Sequence, residues 1–315
     1  MQRQGSLKII EMCQLTGVSR ASYYRRWQSE RPTDEEMALR DRMQQLALKY
    51  RYQGYRYITR LLKREGWIVN HKRVLRILRE DNLLSLRRRR FVTTTDSDHD
   101  FPVYPNLARR LRPNAPDQLW VADITYIRLQ REFTYLAVIL DVYSRRVVGW
   151  SLGRRLDSTL AQDALKLAVK VRQPRPGLIH HSDRGVQYAC RDYIHLLKQA
   201  GMEVSMSRAG NPYDNAFAES FMKTLKVEEV DGRRYRDLEH ASSSIGTFID
   251  EFYNVERLHS ALDYLSPVEF ENNFAQSLNA GRGILSNDEA GKGVWLPPSP
   301  APPSPAENNN SSPQH

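Results

Sequence analysis

The sequence has few cysteines and no long hydrophobic run, and these two absences exclude several classes of protein. Cys13 and Cys190 are the two cysteines among 315 residues and form no Cys-x-x-Cys pair, so neither a disulfide framework nor a zinc knuckle is indicated. The most apolar stretch, residues 136–140, is far too short to cross a bilayer. The N-terminus shows no apolar signal-peptide core. We therefore expect a cytoplasmic protein with no membrane partner.

Positive charge is concentrated in the first third of the chain. Residues 1–112 hold 25 lysines and arginines against 12 acidic residues, a net charge of +13, whereas residues 113–315 hold 22 against 25, a net charge of −3. A basic block of this kind favours a polyanion such as the nucleic-acid backbone, because each neutralised phosphate releases counterions. The alternative is a solvated basic surface without a partner.

The N-terminal third has helical patterns. Residues 1–30 read as a helix, a break at Gly17 and a second helix capped by Ser19, which is typical of a helix-turn-helix segment but also of any amphipathic helical pair. Residues 31–90 predict three short helices with glycine and asparagine at their boundaries, a bundle with a basic face. The run of four arginines at its end is either a phosphate clamp or a solvated tether. The residues predicted to contact DNA in this bundle are Arg73, Arg76, Arg87, Arg88, Arg89 and Arg90.

Composition changes after the bundle. Residues 91–116 are rich in threonine, aspartate and proline and predict a linker. Residues 117–275 carry the remaining periodic patterns and predict a second domain. Residues 280–315 are rich in glycine, proline, serine and asparagine and have too few apolar residues to fold. We assign no role to this tail.

The second domain begins with strand patterns. Residues 119–129, 133–144 and 147–152 predict an antiparallel meander, and a helix capped by Asp157 or Ser158 follows. Strands at 177–183 and 202–206 then alternate with helices. The resulting order, β-β-β-α-β-α-β-α, predicts a ribonuclease H-like α/β fold, a mixed sheet flanked by helices and preceded here by an all-α region.

Three carboxylates occupy informative places in this pattern. Asp123 lies in the middle of a strand, where strand propensity disfavours aspartate and burial is costly. Asp183 lies where the fourth predicted strand ends, a common place for ligands. Glu219 lies in the first turns of a helix, and Lys226 follows two turns later on the same side. Any one of these positions arises readily by chance among 37 acidic residues, whereas the combination on one fold predicts a site.

A cluster of carboxylates would repel itself unless a cation lay among them. Oxygen ligands with few imidazoles nearby favour Mg²⁺ or Mn²⁺ over zinc, and two such ions would activate a nucleophile and stabilise the leaving oxygen in phosphoryl transfer. We therefore predict that Asp123, Asp183 and Glu219 are catalytic and bind two divalent ions.

Other side chains are candidates for supporting roles. Asn211 and Asn215 flank the turn before Glu219, and Asn215 is predicted to cap the helix. Asn254, Arg257 and His259 follow a helix predicted at 238–253 and either brace the active site or contact DNA.

Three further residues have alternative readings. Asp141 ends an apolar strand and begins a turn, with a fourth metal-site acid as the alternative. His180 and His181 point to opposite faces of a strand, so that one is expected in the core and the other near the site, with zinc ligation the less favoured reading.

Four ordered motifs resemble a known family. The 35 residues between Asp183 and Glu219, with Lys226 seven residues beyond, resemble the D, D(35)E signature of retroviral integrases and bacterial insertion-sequence transposases. Trp-x-x-Asp-Ile-Thr-Tyr at 120–126, HSDRGVQY at 181–188, GNPYDNAFAESFMKTLK at 210–226 and YNVERLHSALDYLSP at 253–267 look like the second-reading-frame transposase of the IS-three family. The resemblance covers about residues 50–270.

This resemblance implies an integrase-type catalytic core that cuts DNA at the ends of an insertion sequence and joins the 3′ hydroxyl to a phosphodiester. Carried across by position, Asp123, Asp183 and Glu219 are the metal ligands and Lys226 is a DNA contact. The implied partners are element-end and target DNA and further copies of the chain, acting alone or as the downstream part of a frameshifted fusion with an upstream DNA-binding frame. The alternatives are a non-catalytic DNA-binding regulator derived from a transposase and a nuclease of the same fold.

Overall fold

The computed structural model describes residues 9–21, 33–86, 102–207 and 215–285. The chain divides into two compact units, Met1–Glu271 and Asn272–His315. Among the described residues, no helix combines the length and the apolar character needed to span a membrane. The helices of the first third are α1 (Ile9–Thr16), α2 (Asp34–Lys49), α3 (Tyr55–Arg64) and α4 (His71–Glu80).

The N-terminal helices begin and end close to the positions that the sequence predicts. Helix α1 ends before Gly17, whose φ of +65° is a left-handed conformation that favours glycine. Thr33 caps α2 by accepting a hydrogen bond from the backbone N–H of Glu36, and Asn70 caps α4 by accepting one from Lys72. Most of the second helix predicted within residues 1–30 lies outside the described residues.

Helices α2, α3 and α4 share one hydrophobic core. Met43, Leu62, Val74 and Ile77 are fully buried in it, which is the apolar stripe that the helical periodicity predicts. The buried Leu258, from the far end of the chain, belongs to the same core, and its backbone N–H donates to the Tyr57 hydroxyl. The bundle therefore packs against the C-terminal segment of the first unit.

The remaining elements form a five-stranded sheet with helices on both faces. The strand order is β3-β2-β1-β4-β5, with β1–β2 and β2–β3 antiparallel and β1–β4 and β4–β5 parallel. This mixed sheet confirms the predicted ribonuclease H-like fold. The strands are β1 (Leu119–Arg128), β2 (Phe133–Asp141), β3 (Val147–Gly153), β4 (Ile179–Ser182) and β5 (Glu203–Met206), and the helices are α5 (Ser158–Arg172), α6 (Val186–Ala189), α7 (Arg191–Gln199), α8 (Ala216–Leu225), α9 (Leu238–Thr247) and α10 (Pro267–Leu285).

Several boundaries differ from the prediction. Strand β2 ends at Asp141 rather than 144, because the Asp141 carboxylate accepts hydrogen bonds from Ser144 and closes a turn there. The one-turn helix α6 was not predicted. Helix α9 continues as a wider π-helical segment, Phe248–Glu256, and α8 continues as a shorter one, Lys226–Val230.

The two faces of the sheet bury separate hydrophobic layers. Helices α8 and α9 cover the face that carries Val121 and Leu136, and helices α5 and α7 cover the face that carries Trp120 and Ile139. Trp120 is fully buried, as expected for a core residue. This alternation along β1 follows from the two-residue period of a strand and decides which side chains can reach α8.

Residues 102–116 lie between bundle and sheet and form an irregular chain with a short 3₁₀ turn, Ala108–Arg110. Residues 91–101 of the predicted linker and the tail beyond residue 285 lie outside the described residues. The division of the chain into a DNA-binding region at 31–90 and a catalytic region at 117–275 stays a prediction.

Candidate active site

The register of the sheet brings Asp123 and Asp183 side by side. Strands β1 and β4 are parallel, and Val121 is paired with His181. The same register continued by two residues sets Asp123 beside Asp183, the first residue after β4. Neighbouring strands are about 4.8 Å apart, and residues two apart share a face. Both carboxylates therefore lie on the face that α8 covers.

Helix α8 brings Glu219 to the same region. Its apolar side packs on the sheet, while Glu219 lies on an exposed side of the helix. The Asn215 amide donates a 3.2 Å hydrogen bond to the carbonyl of Ala122 and so ties the start of α8 to β1 beside Asp123. The residues of α8 that pack on the sheet are Ala218, Phe221, Met222 and Leu225.

The predicted capping role of Asn215 is not what the structure shows. Asn215 is at the N-cap position, but its side chain makes no capping hydrogen bond. The amide donates instead to the Ala122 carbonyl on strand β1, a contact between residues that are 93 apart in the sequence. Asn211 lies outside the described residues.

The three acids share one electrostatic environment. Burial and the negative charges of Asp183 and Glu219 together raise the pKa of Asp123 to about 7, against a hydrogen bond from the Ile124 N–H and the charge of Lys226. Burial also raises the pKa of Glu219. Asp123 therefore carries an electrostatic cost that a cation would relieve.

Lys226 lies at the edge of this environment. Its ammonium group is 4.6 Å from the centre of the Tyr126 ring, a cation–π contact. Burial lowers the pKa of Lys226, and the carboxylates of Asp231 and Asp123 oppose that shift. Tyr126 was not singled out from the sequence, although it closes the motif that begins at Trp120.

The carboxylates are not arranged around one cation position. Asp123 accepts a hydrogen bond from the N–H of Ile124, and Asp183 accepts one of 2.9 Å from the N–H of Gly185. Across the part of the chain that the structure describes, no three His, Cys, Asp or Glu side chains are grouped closely enough to hold a metal ion. The fold thus brings the three acids to one site, and ion binding would require their side chains to turn towards each other.

Tyr188 is a further residue of the site that sequence reasoning missed. It lies on α6, five residues after Asp183, and its buried hydroxyl has no hydrogen-bond partner among the described residues. Burial raises the pKa of Tyr188, and the charges of Asp183 and Asp123 contribute. The signal in the sequence was its place at the end of the HSDRGVQY motif.

Comparisons with known proteins place the chain in a family. Residues 34–91 match the family described as an HTH-like domain, and residues 113–212 and 200–267 match two families that are each described as an integrase core domain. The 31 kDa protein of insertion element IS600 from Shigella sonnei is 41% identical over 84% of this chain and 99% of its own length. The transposase InsF of IS3 from Escherichia coli is 35% identical over 86% of this chain and 96% of its own length. The chain belongs to the IS3 family of insertion-sequence transposases.

Other relatives extend the comparison. The IS904 transposase from Lactococcus lactis is 39% identical over 71% of this chain and 88% of its own length. Among solved structures, the intasome of simian T-cell lymphotropic virus matches 73% of this chain and 74% of its own with 16% identity and a TM-score of 0.44. The HTLV-2 integrase catalytic core in complex with magnesium matches 51% of this chain and 99% of its own with 14% identity and a TM-score of 0.40.

The two histidines of this transposase point to opposite faces of β4. His180 lies in the layer under α7, within 3.0 Å of the Tyr193 hydroxyl, and burial lowers its pKa to about 3. His181 faces the same side as Asp183 and lies 2.8 Å from the Ser205 hydroxyl. Both are buried among hydrogen-bonding neighbours, so both help to fix the strand that carries Asp183.

Asp141 organises a turn of the transposase rather than joining the other acids. Its carboxylate accepts hydrogen bonds from the backbone N–H groups of Asp117 and Ser144 and from the Ser144 hydroxyl. Burial raises its pKa to about 6, against these hydrogen bonds. These three donors satisfy the carboxylate without a cation.

Asn254, Arg257 and His259 have contacts with residues other than the three acids. The Asn254 side chain both donates to and accepts from the backbone of Val147, at 3.0 Å each, and so fixes the start of β3. The Arg257 guanidinium pairs with Glu228 at 2.8 Å. Arg257 and His259 line a cavity beside α8.

The predicted DNA contacts of the bundle are partly described. Arg73 and Arg76 lie on α4, and Arg76 is 3.7 Å from Glu80 one turn later. Lys72 and Arg79 are exposed on the same helix. Arg87, Arg88, Arg89 and Arg90 lie outside the described residues.

Proposed function

We propose that this transposase cleaves DNA at the ends of its insertion sequence and joins the freed 3′ hydroxyl to target DNA. The observation that supports this reaction is the meeting of Asp123, Asp183 and Glu219, from two strands and a helix distant in sequence, in one electrostatic environment. Membership of a family with an integrase core domain supports the same class of chemistry. Its substrate is chromosomal DNA, so we propose that it acts in the cytoplasm.

Asp123, Asp183 and Glu219 would hold two Mg²⁺ or Mn²⁺ ions. The set fits these ions because all its donors are carboxylate oxygens and because burial and the neighbouring negative charges, which a cation would offset, raise the pKa of Asp123. When bound, such ions supply charge stabilisation to the attacking and leaving oxygens of an in-line phosphoryl transfer.

The remaining residues of the site would act on the DNA and on the acids. Lys226 extends beside Tyr126 at the edge of the site, where its ammonium group can bind a backbone phosphate. Asn215 holds the first turn of α8 against β1, so that Glu219 keeps its place opposite Asp123. Their contribution is positioning, on which the rate of phosphoryl transfer depends.

We propose that the helical bundle at 31–90 binds the DNA that the core at 117–275 cuts. An HTH-like domain match and the basic face of α4 support this assignment. Arg73 and Arg76 are the described candidates for phosphate contacts, and Arg87–Arg90 follow in the sequence. Because transposition joins two element ends, we propose that the protein works as an oligomer on DNA, alone or fused to the product of an upstream reading frame.

The test is a strand-transfer assay with the full-length protein. Oligonucleotides carrying the ends of the element are incubated with plasmid DNA and MgCl₂ or MnCl₂, and joined products are separated on a gel. Glu219→Gln is expected to lower joining at least about a hundredfold, since loss of a metal ligand costs more than the 10- to 100-fold typical of its supporting partners, and to leave DNA binding intact. Glu239→Gln, at an exposed position of α9, is the matched control. Equal joining by Glu219→Gln and the control would refute the assignment.

One observation favours a second function, that of a DNA-binding regulator without catalysis. The carboxylates of Asp123 and Asp183 are held by nearby backbone N–H groups rather than around a cation position in the described part of the chain. A regulator would bind element ends with the same affinity in EDTA and in MgCl₂ and would yield neither cut nor joined product. A nuclease would yield cut product alone.

A further inference from the structure

A cavity of about 580 Å³ lies beside α8. Its walls come from the start of α3, from the α8 residues Ala216, Phe217 and Ser220, from the turn after β2, and from residues 257–261. The cavity therefore lies between the HTH-like bundle and the integrase core, where DNA held by the one would pass to the other.

Arg145 projects into this cavity without an acidic partner. The central carbon of its guanidinium is 3.9 Å from the centre of the Phe217 ring, a cation–π contact. Among the described residues, Arg145 forms no salt bridge. Burial lowers its pKa, because removing a guanidinium from water disfavours the charged form. Its φ of +63° is a conformation that non-glycine residues rarely adopt.

The neighbouring arginines differ from Arg145 because each is paired. Arg146 contacts Glu271 at 2.7 Å, and Arg257 contacts Glu228 at 2.8 Å. Asp141, an acid close enough to raise the pKa of Arg145, already accepts three hydrogen bonds, one from the Asp117 N–H and two from Ser144. A half-buried, unpaired cation is costly, so the fold keeps Arg145 at a free-energy cost that an anion would remove.

Two more groups in the cavity suit an anion. His259 is neutral because burial and the charge of Arg257 lower its pKa to about 3. Its Nδ1 lies 3.5 Å from the guanidinium of Arg257, and its buried Nε2 has no hydrogen-bond partner among the described residues. Arg56, exposed at the start of α3, contacts the Tyr55 ring and has no acidic partner within the described part of the chain.

We propose that this cavity binds a phosphate of the DNA backbone, with Arg145 as the principal contact and Arg56 and His259 as further donors. The proposal rests on the proposed function in that DNA is the substrate. A phosphodiester bound here would lie beside α8, the helix that carries Glu219. The contact would thus fix the position of the DNA between the bundle and the active site.

The test measures how DNA affinity depends on salt. Fluorescence anisotropy follows binding of a mixed-sequence DNA duplex to the full-length protein across a series of KCl concentrations, in EDTA, so that catalysis plays no part. Arg145→Gln is expected to weaken binding about tenfold at low salt and to reduce the slope of log K against log[KCl] by about 0.9, the loss of one phosphate contact. Arg145→Lys, which keeps the charge, is expected to keep the slope.

Arg175→Gln is the matched control. It removes the same charge as Arg145→Gln, but Arg175 is exposed and lies outside the cavity. Arg56→Gln tests the cavity at an exposed position where folding is not at risk, and its slope is also expected to fall. Unchanged slopes in both Arg145→Gln and Arg56→Gln would overturn the proposal.

Inorganic phosphate separates a DNA site from a site for small anions. If phosphate raises the unfolding temperature of the wild type but not of Arg145→Gln, while DNA binding is the same in both, the cavity binds small anions and the proposal is wrong. Glu219→Gln is expected to bind DNA with the wild-type slope. If the protein failed to join DNA in the strand-transfer assay, Arg145→Gln could still show the predicted loss of DNA affinity and salt dependence. The two proposals can therefore fail separately.

Discussion

Replacing Asp123 by asparagine should stabilise the protein in the absence of metal, and Mg²⁺ should narrow this difference because it stabilises mainly the wild type. The pKa of Asp123 is raised from its ordinary value of 3.8 to about 7. The folded protein therefore holds this proton to a higher pH than the unfolded chain does, and its stability falls as the pH rises from about 4 to about 7. The shift of about three pKa units corresponds to a cost on the order of 4 kcal/mol once Asp123 is fully ionised.

The neutral amide of the Asp123→Asn variant would avoid this cost and still accept the hydrogen bond from the Ile124 N–H through its oxygen. At pH 8 in EDTA, the variant is thus expected to unfold at a higher urea concentration than wild type. Addition of MgCl₂ should stabilise wild type by about 1.4 kcal/mol at ten times the dissociation constant, with little effect on the variant. Urea unfolding followed by circular dichroism measures both.

Asp141→Asn is the control for this experiment, because Asp141 is also a buried acid with a raised pKa, of about 6. Its carboxylate accepts three hydrogen bonds, of which an amide oxygen cannot replace all. This variant should lose about 1–3 kcal/mol with or without Mg²⁺. The reasoning is refuted if Asp123→Asn is the less stable protein in EDTA, or if Mg²⁺ stabilises wild type and Asp123→Asn equally.

Two further substitutions test how the fold supports the site. Gly149→Ala would place a Cβ 2.7 Å from the Cβ of Ala168 and against the carbonyl of Ala164. We expect the free energy of unfolding to fall by about 1–3 kcal/mol or more, measured by thermal unfolding. An unchanged melting temperature would contradict the close packing of β3 on α5. Asn254→Ala would remove both hydrogen bonds to Val147. Chemical denaturation should show that the free energy of unfolding falls by about 2–4 kcal/mol, because two backbone groups are left unsatisfied. A change within experimental error would mean that water replaces the amide.

The positions of the acids on strands and helix could be predicted from local pattern. Asp123 interrupts a run of strand-forming residues, and Asp183 ends one, so their places in the fold follow from β-propensity and the two-residue period. Glu219 follows a helix start in the same way. The pattern could not predict the hydrogen bonds of the carboxylates. The bond from the Gly185 N–H to Asp183, for example, depends on the geometry of a turn that has no separate signal in the sequence.

The predicted cap at Asn215 shows how tertiary contacts override local rules. An asparagine before a helix ordinarily accepts a hydrogen bond from the first turn. Here the Asn215 amide donates to the Ala122 carbonyl, one residue before Asp123, and its side chain makes no capping hydrogen bond. Sequence alone contains no record of this contact, because the two residues are 93 apart and meet only when α8 packs on the sheet.

Arg145 was beyond sequence reasoning for a related reason. Arg145 and Arg146 are adjacent and chemically identical, yet Arg146 is paired with Glu271 and Arg145 stacks on Phe217, partners that are far away in the sequence. The amino-acid sequence by itself determined the strand and helix order, the concentration of positive charge and the three acids, because these depend on periodicity and composition. Only the tertiary structure decided which charges meet a partner, because that depends on distances between elements that no local pattern encodes.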